Sequence, residues 1–276
     1  MIPSFLEGPG GPVFTLRWPI ASQVTARGAA ILVPPFGEEL NCSRRFLGVL
    51  ARRLNGAGYE VMLPDLHGTG DSAGTFADAD WALWRDEVTW LAAETAARTA
   101  VPITLIGLRT GALLAADVVH TAARRDAAGW ACGLCCIQPV GDGNRFLDQL
   151  LRIRIARAMA HGETERRQDL RGRWQEGLSV HVGGYAVPAA LATALASRRI
   201  ADLRPPAGID LTWITVIAHE SAAPAKTSVP PPDWPPARAA VSVAAPAFWS
   251  AANLCGGEEV AEAVAQALQP ALEVVS

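Results

Sequence analysis

The sequence predicts an α/β fold in which helices flank a mostly parallel central sheet. Half of the 276 residues are apolar and 18% are charged, a composition that excludes a disordered or low-complexity chain. Short apolar runs alternate along the chain with segments of helical periodicity, which is typical of βαβ units with right-handed crossovers. A chain of this length buries a large core without help from disulfides or metals.

The first half of the chain carries most of this alternating pattern. Strands are predicted at 12–20, 29–33, 59–63, 103–106 and 134–137. The first of them is expected to lie at an edge of the sheet, and the run at 29–33 is apolar throughout, as parallel strands buried on both faces are. Helices with one apolar face are predicted between the strands, at 43–55, 79–98 and 111–124.

The alternation stops between Gly141 and Gly208. This segment is arginine-rich and helical, has no evident strand pattern, and ends in a proline-containing turn. We interpret it as a helical cap (141–208) inserted into a core made of 1–140 and 209–276. In the last part of the core, strands are predicted at 211–217 and 239–243, followed by a helix at 258–268.

One strand–turn–helix junction has the pattern of a nucleophile elbow. The residues are Gly107, Leu108, Arg109, Thr110 and Gly111, which match G-x-S-x-G except at the nucleophile position. The glycines stand where the tight turn of an α/β-hydrolase fold needs them. Arginine cannot replace the serine as a nucleophile, because its guanidinium stays protonated at any working pH.

A second match to G-x-S-x-G lies at 70–74 and contains Ser72. It follows a predicted strand but starts no helix, so it lacks the context that the motif requires. It belongs to a longer loop that begins at Asp65 and includes His67. We therefore expect a structural role for Ser72 and a loop-bonding role for His67.

The other members of a catalytic triad are a base and an acid that orients it. In the order usual for this fold the acid follows the strand at 211–217, where Glu220 stands, and the base follows the last strand. Residues 245–251 contain no histidine, and no histidine follows His219. His219 is the candidate for a displaced base.

Four segments together resemble the exosortase A system-associated hydrolase 2 family of the α/β-hydrolase superfamily. They are PPFGEELNCSRR (34–45), LPDLHGTGDSAG (63–74), GLRTGA (107–112) and PAFW (246–249). The resemblance covers nearly the whole chain, including the cap. It implies an association with the protein-sorting system of Gram-negative bacteria that carry exopolysaccharide gene clusters. It implies no established substrate, since a fold alone does not supply one.

Arg109 is expected to contribute to an anion-binding pocket. It stands at a helix N-terminus, where free N–H groups already favour negative charge. The oxyanion donors of this fold would be the N–H of Thr110 and that of Phe36 or Gly37. These four residues are the predicted binding site for a carboxylate, phosphate or sulfate, or for an acyl group.

The alternative is that Arg109 forms an internal ion pair, since a buried unpaired charge is costly. The candidate partners are Glu38, Glu39, Glu220 and Asp142. The two interpretations are compatible, because a ligand can displace an internal partner.

Three functions follow from these observations. The leading one is a degenerate hydrolase that binds an anionic or acyl-bearing ligand, or a protein partner of the exosortase and exopolysaccharide machinery. The second is an active ester or thioester hydrolase with a displaced apparatus, in which Ser72, Asp65 or Asp142 acts with His219 or His67. The third is a scaffolding protein that uses the surface of the cap.

Other function classes are excluded or not indicated. A formal net charge of −3 gives no field that would hold nucleic acid. Five cysteines form neither a disulfide framework nor a zinc set, and those at 132–136 are expected in a buried strand. We expect no metal and no cofactor. With no signal-peptide pattern and no apolar run long enough to span a bilayer, the expected location is the cytoplasm.

Overall fold

The computed structural model of the protein describes residues 1–21, 23–125, 129–217, 229–250 and 256–269. The strands in these ranges are β1 Ile2–Gly8, β2 Gly11–Trp18, β3 Gly28–Val33, β4 Tyr59–Pro64, β5 Ile103–Leu108, β6 Ala131–Ile137, β7 Val180–Val182, β8 Tyr185–Val187, β9 Asp210–Ile217 and β10 Ala239–Ala244. The helices are α1 Glu38–Gly56, α2 Trp81–Thr99, α3 Thr110–Arg124, α4 Gly143–Ala160, α5 Arg167–Gln175, α6 Ala189–Ala196 and α7 Glu258–Ala267.

Eight strands form one sheet in the order β1-β2-β4-β3-β5-β6-β9-β10. Six neighbouring strands are parallel: β4, β3, β5, β6, β9 and β10. Strands β2 and β1 extend the sheet beyond β4 in antiparallel pairing. The predicted mostly parallel sheet with flanking helices is confirmed. The carboxyl ends of β3, β5 and β6 lie side by side, so the loops that follow these strands meet at one edge.

Helices cover both faces of the sheet because successive strand residues point to opposite sides. In β3, Ala30 and Leu32 belong to the core shared with α1 and α7, whereas Ile31 belongs to the core shared with α2 and α3. Trp81 and Trp84 of α2 are fully buried in the core shared with α2 and α3.

The amino-terminal end of the sheet differs from the prediction. The strand predicted at 12–20 is β2, which is not an edge strand, because β1 pairs with its outer side from Ile2 to Gly8. The sequence pattern does not reveal β1, since it buries little and carries the exposed side chains of Ile2 and Phe5. The pairing with β2, rather than apolar alternation, defines this strand.

The segment 141–208 contains α4, α5 and α6, in agreement with its predicted helical character, but also a hairpin that was not predicted. β7 and β8 pair across Gly183 and Gly184, whose φ angles of 57° and 89° fit the two central positions of a type I′ turn. The prediction of no strands in this segment was therefore wrong. The Gly-Gly pair between short apolar stretches was the signal that could have found them. The division of the chain into core and cap stays a prediction.

Two of the three cysteines of β6 are buried, as predicted, and the third is exposed. Cys135 and Cys136 are fully buried on opposite faces of the sheet, where burial raises the pKa of both thiols. Cys132 is exposed, which corrects the expectation of a buried thiol there. Across the residues that the structure describes, no helix is long and apolar enough to cross a membrane.

Candidate functional site

The turn between β5 and α3 is built on Arg109 alone. β5 ends at Leu108, α3 begins at Thr110, and Arg109 adopts φ 56° and ψ −118°. This is a strained conformation for a residue with a side chain, and such strain is typical of functional turns. The backbone N–H of Arg109 donates to the carbonyl oxygen of Ile137 at 3.0 Å. The predicted elbow geometry is confirmed.

Two glycines of the elbow are required by close backbone contacts. A Cβ on Gly107 would lie 2.3 Å from the Cα of Ala112. A Cβ on Gly111 would lie 2.1 Å from the carbonyl oxygen of Val33 at the end of β3. The first turn of α3 therefore lies directly against the neighbouring strand end, and no side chain fits between them.

The Arg109 side chain forms an ion pair with Glu39 in the first turn of α1. Nε lies 3.2 and 3.3 Å from the two carboxylate oxygens, and Nη2 lies 3.0 Å from Oε1. The two side chains are 14% and 17% exposed. Burial raises the pKa of the Glu39 carboxyl, and the Arg109 charge opposes that rise. The internal ion pair predicted as an alternative is present, with Glu39 as the partner.

The guanidinium keeps unused donors after these contacts. It has five N–H groups; Nε–H and one Nη2–H face Glu39, and one Nη1–H faces the carbonyl oxygen of Gln138 at 3.4 Å. The other two N–H groups have no partner among the described residues. The centre of the guanidinium lies 5.1 Å from the ring of Trp249, a cation–π distance.

Arg109 and Glu39 border a cavity of about 310 Å³, which we call the aromatic cavity. Aromatic side chains dominate its wall: Phe36, Phe76, Phe146, Tyr185 and Trp249. The rings support one another, with Phe36 5.7 Å from Phe146 and Phe76 5.1 Å from Tyr185 between centroids. Its size and lining are those of a small-molecule site.

A second, more open cavity of about 480 Å³, the outer cavity, adjoins the first. Its wall includes polar groups at the ends of β6 and the start of α4: Gln138, Asp142 and Arg145. Arg109, Phe146 and Gln149 line both cavities. Arg109 thus stands where an apolar cavity and a more polar one meet.

The structure brings together three of the four residues predicted to bind a ligand. Phe36, Gly37 and Arg109 line the aromatic cavity, whereas Thr110 is buried behind Arg109 and does not line either cavity. The Thr110 hydroxyl has no hydrogen-bond partner within the described ranges. Ligand binding by this set stays a prediction. His219 and Glu220 lie outside the described residues.

The hydroxyl of Ser72 is used up in hydrogen bonds to the backbone around its own loop. Its hydroxyl donates to the carbonyl oxygen of Asp65 at 2.5 Å and accepts from the N–H of Phe14 at 2.8 Å. Asp65 in turn accepts from the N–H of Asp71 at 3.1 Å and lies 3.3 Å from Arg44. These bonds give Ser72 and Asp65 the structural role that the loop motif predicts for Ser72.

His67 and Glu87 form a buried polar contact under the β1–β2 turn. One Glu87 oxygen accepts from the backbone N–H of His67 at 2.9 Å. The other oxygen, and Nδ1 of His67, have no partner among the described residues. A Cβ added to Gly10 would lie 2.9 Å from Nδ1 and 3.2 Å from that oxygen, so glycine leaves room for both. Burial raises the pKa of Glu87 to about 7, with the His67 N–H acting in the opposite direction.

The buried position of Glu87 makes the free energy of unfolding depend on pH. A carboxyl whose pKa is raised on folding stabilises the protein below its ordinary pKa, and that contribution is lost as pH rises towards about 7. We expect Glu87→Gln to match the wild type near pH 4.5 and to exceed its free energy of unfolding by about 1 to 3 kcal/mol at pH 8.

Urea unfolding of both proteins between pH 4.5 and 8 measures the difference. Glu94→Gln, at an exposed position of the same helix, is the matched control and should follow the wild type throughout. Parallel curves for Glu87→Gln and wild type would contradict the prediction.

Sequence reasoning missed several residues of the site. Phe146 and Tyr185, which belong to segment 141–208, line the aromatic cavity. The Gly-Gly turn was the one sequence feature that could have placed Tyr185 in a hairpin. Gln138 follows β6 at a φ of 41°, and its side-chain oxygen accepts from the N–H of Val216 at 2.7 Å. Its place at a strand end is the one sequence feature that could have marked it.

Comparisons with known proteins agree on the fold. The chain is similar to Est1E from Butyrivibrio proteoclasticus, described with bound ferulic acid, at 16% identity over 95% of this chain and 96% of that chain, with a TM-score of 0.68. It is similar to XC6422 from Xanthomonas campestris, described as an α/β serine hydrolase without lid, at 14% identity over 97% and 93%, with a TM-score of 0.54.

A third similar structure is that of the bottromycin epimerase BotH in complex with bottromycin A2, at 17% identity over 97% of this chain and 99% of that chain, with a TM-score of 0.57. The chain matches no family model. It matches no curated protein either. At these identities the likenesses show that the chain has the α/β-hydrolase fold, and they carry nothing about its chemistry.

Proposed function

We propose that this protein is a degenerate α/β-hydrolase that binds an acyl- or aryl-bearing ligand and presents Arg109 to an oxygen of it. The observation that carries the proposal is the position of Arg109. It occupies the strained nucleophile turn, borders the aromatic cavity and retains two N–H groups without a partner among the described residues. Following the family resemblance, we place this binding activity within the exosortase and exopolysaccharide system.

Several features support binding over serine hydrolysis. The nucleophile position holds a group that cannot lose its proton. Ser72, the serine in the other G-x-S-x-G match, is buried and bonded to backbone on both sides. Est1E, which has a similar fold, is described with an aromatic acid bound, and BotH with the same fold is described as an epimerase. This fold therefore accommodates aromatic acids and also chemistry other than hydrolysis.

The ion pair with Glu39 determines how an anion would bind. A carboxylate that approaches Arg109 meets the Glu39 carboxylate as well, so binding is favoured when Glu39 is protonated or displaced. Burial raises the pKa of Glu39 and the Arg109 charge opposes that rise, so displacing Arg109 towards a ligand would favour the protonated carboxyl further. We therefore expect the affinity for a carboxylate to increase as pH falls, and that for a neutral ester to change little.

Calorimetric titration with ferulate, octanoate and methyl ferulate tests the proposal. Glu39→Gln, which leaves Arg109 without a counter-charge, is expected to tighten ferulate binding about tenfold. The double variant Arg109→Met/Glu39→Gln, which removes both charges, should lose carboxylate affinity about tenfold relative to the wild type. If neither ferulate nor octanoate binds the wild type, or if the double variant binds them equally well, the proposal is wrong.

A fluorophosphonate probe separates binding from hydrolysis. We expect no adduct by intact mass. A stoichiometric adduct on Ser72 or any other serine would establish an active serine hydrolase with a displaced apparatus.

A further inference from the structure

The structure assigns Gln138 as a second ligand-binding residue, which with Arg109 receives the oxygen-bearing head of a ligand in the outer cavity while the apolar body lies in the aromatic cavity. This inference rests on the proposed function and narrows it to an amphiphilic acid or acyl compound that spans both cavities. Three observations on the described residues carry it.

The first is the orientation of the Gln138 amide. The backbone N–H of Val216 can only donate, so the side-chain atom 2.7 Å from it is the amide oxygen. The amide nitrogen is consequently the other terminal atom. It has no hydrogen-bond partner in the described part of the chain, and the residue as a whole is 9% exposed. Gln138 lines the outer cavity, so its NH₂ group is a donor available there.

The second observation is backbone strain at two neighbouring strand ends. Arg109 after β5 and Gln138 after β6 both have positive φ, 56° and 41°, and apart from them only Ala100 does so among the described residues that are not glycine. Ala100 ends helix α2, where a left-handed residue is common. Arg109 and Gln138 instead follow two neighbouring parallel strands, so both strained residues stand at the same edge of the sheet.

The third observation is that the two residues are in contact and line the same cavity. Nη1 of Arg109 lies 3.4 Å from the backbone carbonyl oxygen of Gln138, and both residues line the outer cavity. We infer that the spare N–H groups of Arg109 and the side-chain NH₂ of Gln138 serve the same ligand group there. Two converging donors suit a carboxylate or an acyl carbonyl, whereas the aromatic wall on the other side of Arg109 suits an apolar body.

The variant Gln138→Glu separates binding from structure. Glutamate keeps an oxygen for the Val216 N–H but replaces the NH₂ donor by a second acceptor with negative charge. We expect ferulate affinity to fall about tenfold or more, and methyl ferulate affinity to fall clearly less, because only the acid is repelled. The melting temperature is measured alongside, so that a loss of affinity caused by unfolding is recognised.

A second measurement uses the unmodified protein. In ¹⁵N–¹H spectra of the wild type, the side-chain NH₂ signals of Gln138, assigned by their loss in Gln138→Glu, should shift on titration with ferulate. Unchanged signals, or unchanged ferulate affinity in a folded Gln138→Glu variant, would overturn this inference.

The two proposals fail in different ways. Ferulate binding that depends on Arg109 but not on Gln138 would refute only the role of Gln138. Absence of ferulate and octanoate binding by the wild type would refute both.

Discussion

Replacing Gly111 by alanine is expected to lower the free energy of unfolding by about 3 kcal/mol or more, among the largest effects of any single substitution in this protein. The added methyl would lie 2.1 Å from the carbonyl oxygen of Val33 and 2.5 Å from that of Pro34. Both are backbone atoms, one in the last residue of central strand β3 and one in the residue after it, so neither can rotate away. The melting temperature should fall by about 10 °C, measured by calorimetry.

Gly172→Ala is the matched control for this substitution. Gly172 lies within α5, and a Cβ there meets no atom within 4 Å. Since alanine has a higher helix propensity, we expect this variant to gain about 0.5 to 1 kcal/mol. A Gly111→Ala protein as stable as Gly172→Ala would mean that α3 does not approach the end of β3 as described.

Arg109→Met is expected to destabilise the protein by about 3 kcal/mol at pH 8, because it leaves the Glu39 carboxylate buried without its partner. Methionine keeps a side chain at the strained backbone position, so the comparison isolates the charge. Without Arg109 the pKa of Glu39 should rise further, since Arg109 is the group that lowers it. The loss should therefore be smaller at pH 5 than at pH 8.

A double-mutant cycle with Glu39→Gln measures the coupling between the two side chains. The variant Arg109→Met/Glu39→Gln should recover most of the stability lost in Arg109→Met. Arg53→Met, which breaks the exposed pair with Glu262, should change stability by no more than about 0.5 to 1 kcal/mol. Equal losses for Arg109→Met and Arg53→Met would show that the buried Arg109–Glu39 pair contributes no more to stability than an exposed pair.

Local sequence patterns predicted the sheet and its elbow well. Apolar runs at β3, β4, β5, β6 and β9, the flanking helices and the strand–turn–helix at Arg109 depend on periodicities and turn residues within a few positions of each other. Such features are encoded locally, because backbone hydrogen bonds and side-chain alternation repeat every two or 3.6 residues. Edge strand β1 was not predicted because it buries little, and the β7–β8 hairpin was not predicted because each of its strands is only three residues long.

The sequence by itself determined that an arginine stands in the nucleophile turn and that no histidine follows the last strand. Only the tertiary structure decided which carboxylate pairs with Arg109, that Ser72 is bonded within its loop, and that Gln138 faces the cavity beside Arg109. Arg109 and Glu39 are 70 positions apart, and Gln138 and Val216 are 78 apart. Contacts at such separations are set by how β3, β5, β6 and β9 pair in the sheet, and no local pattern carries that information.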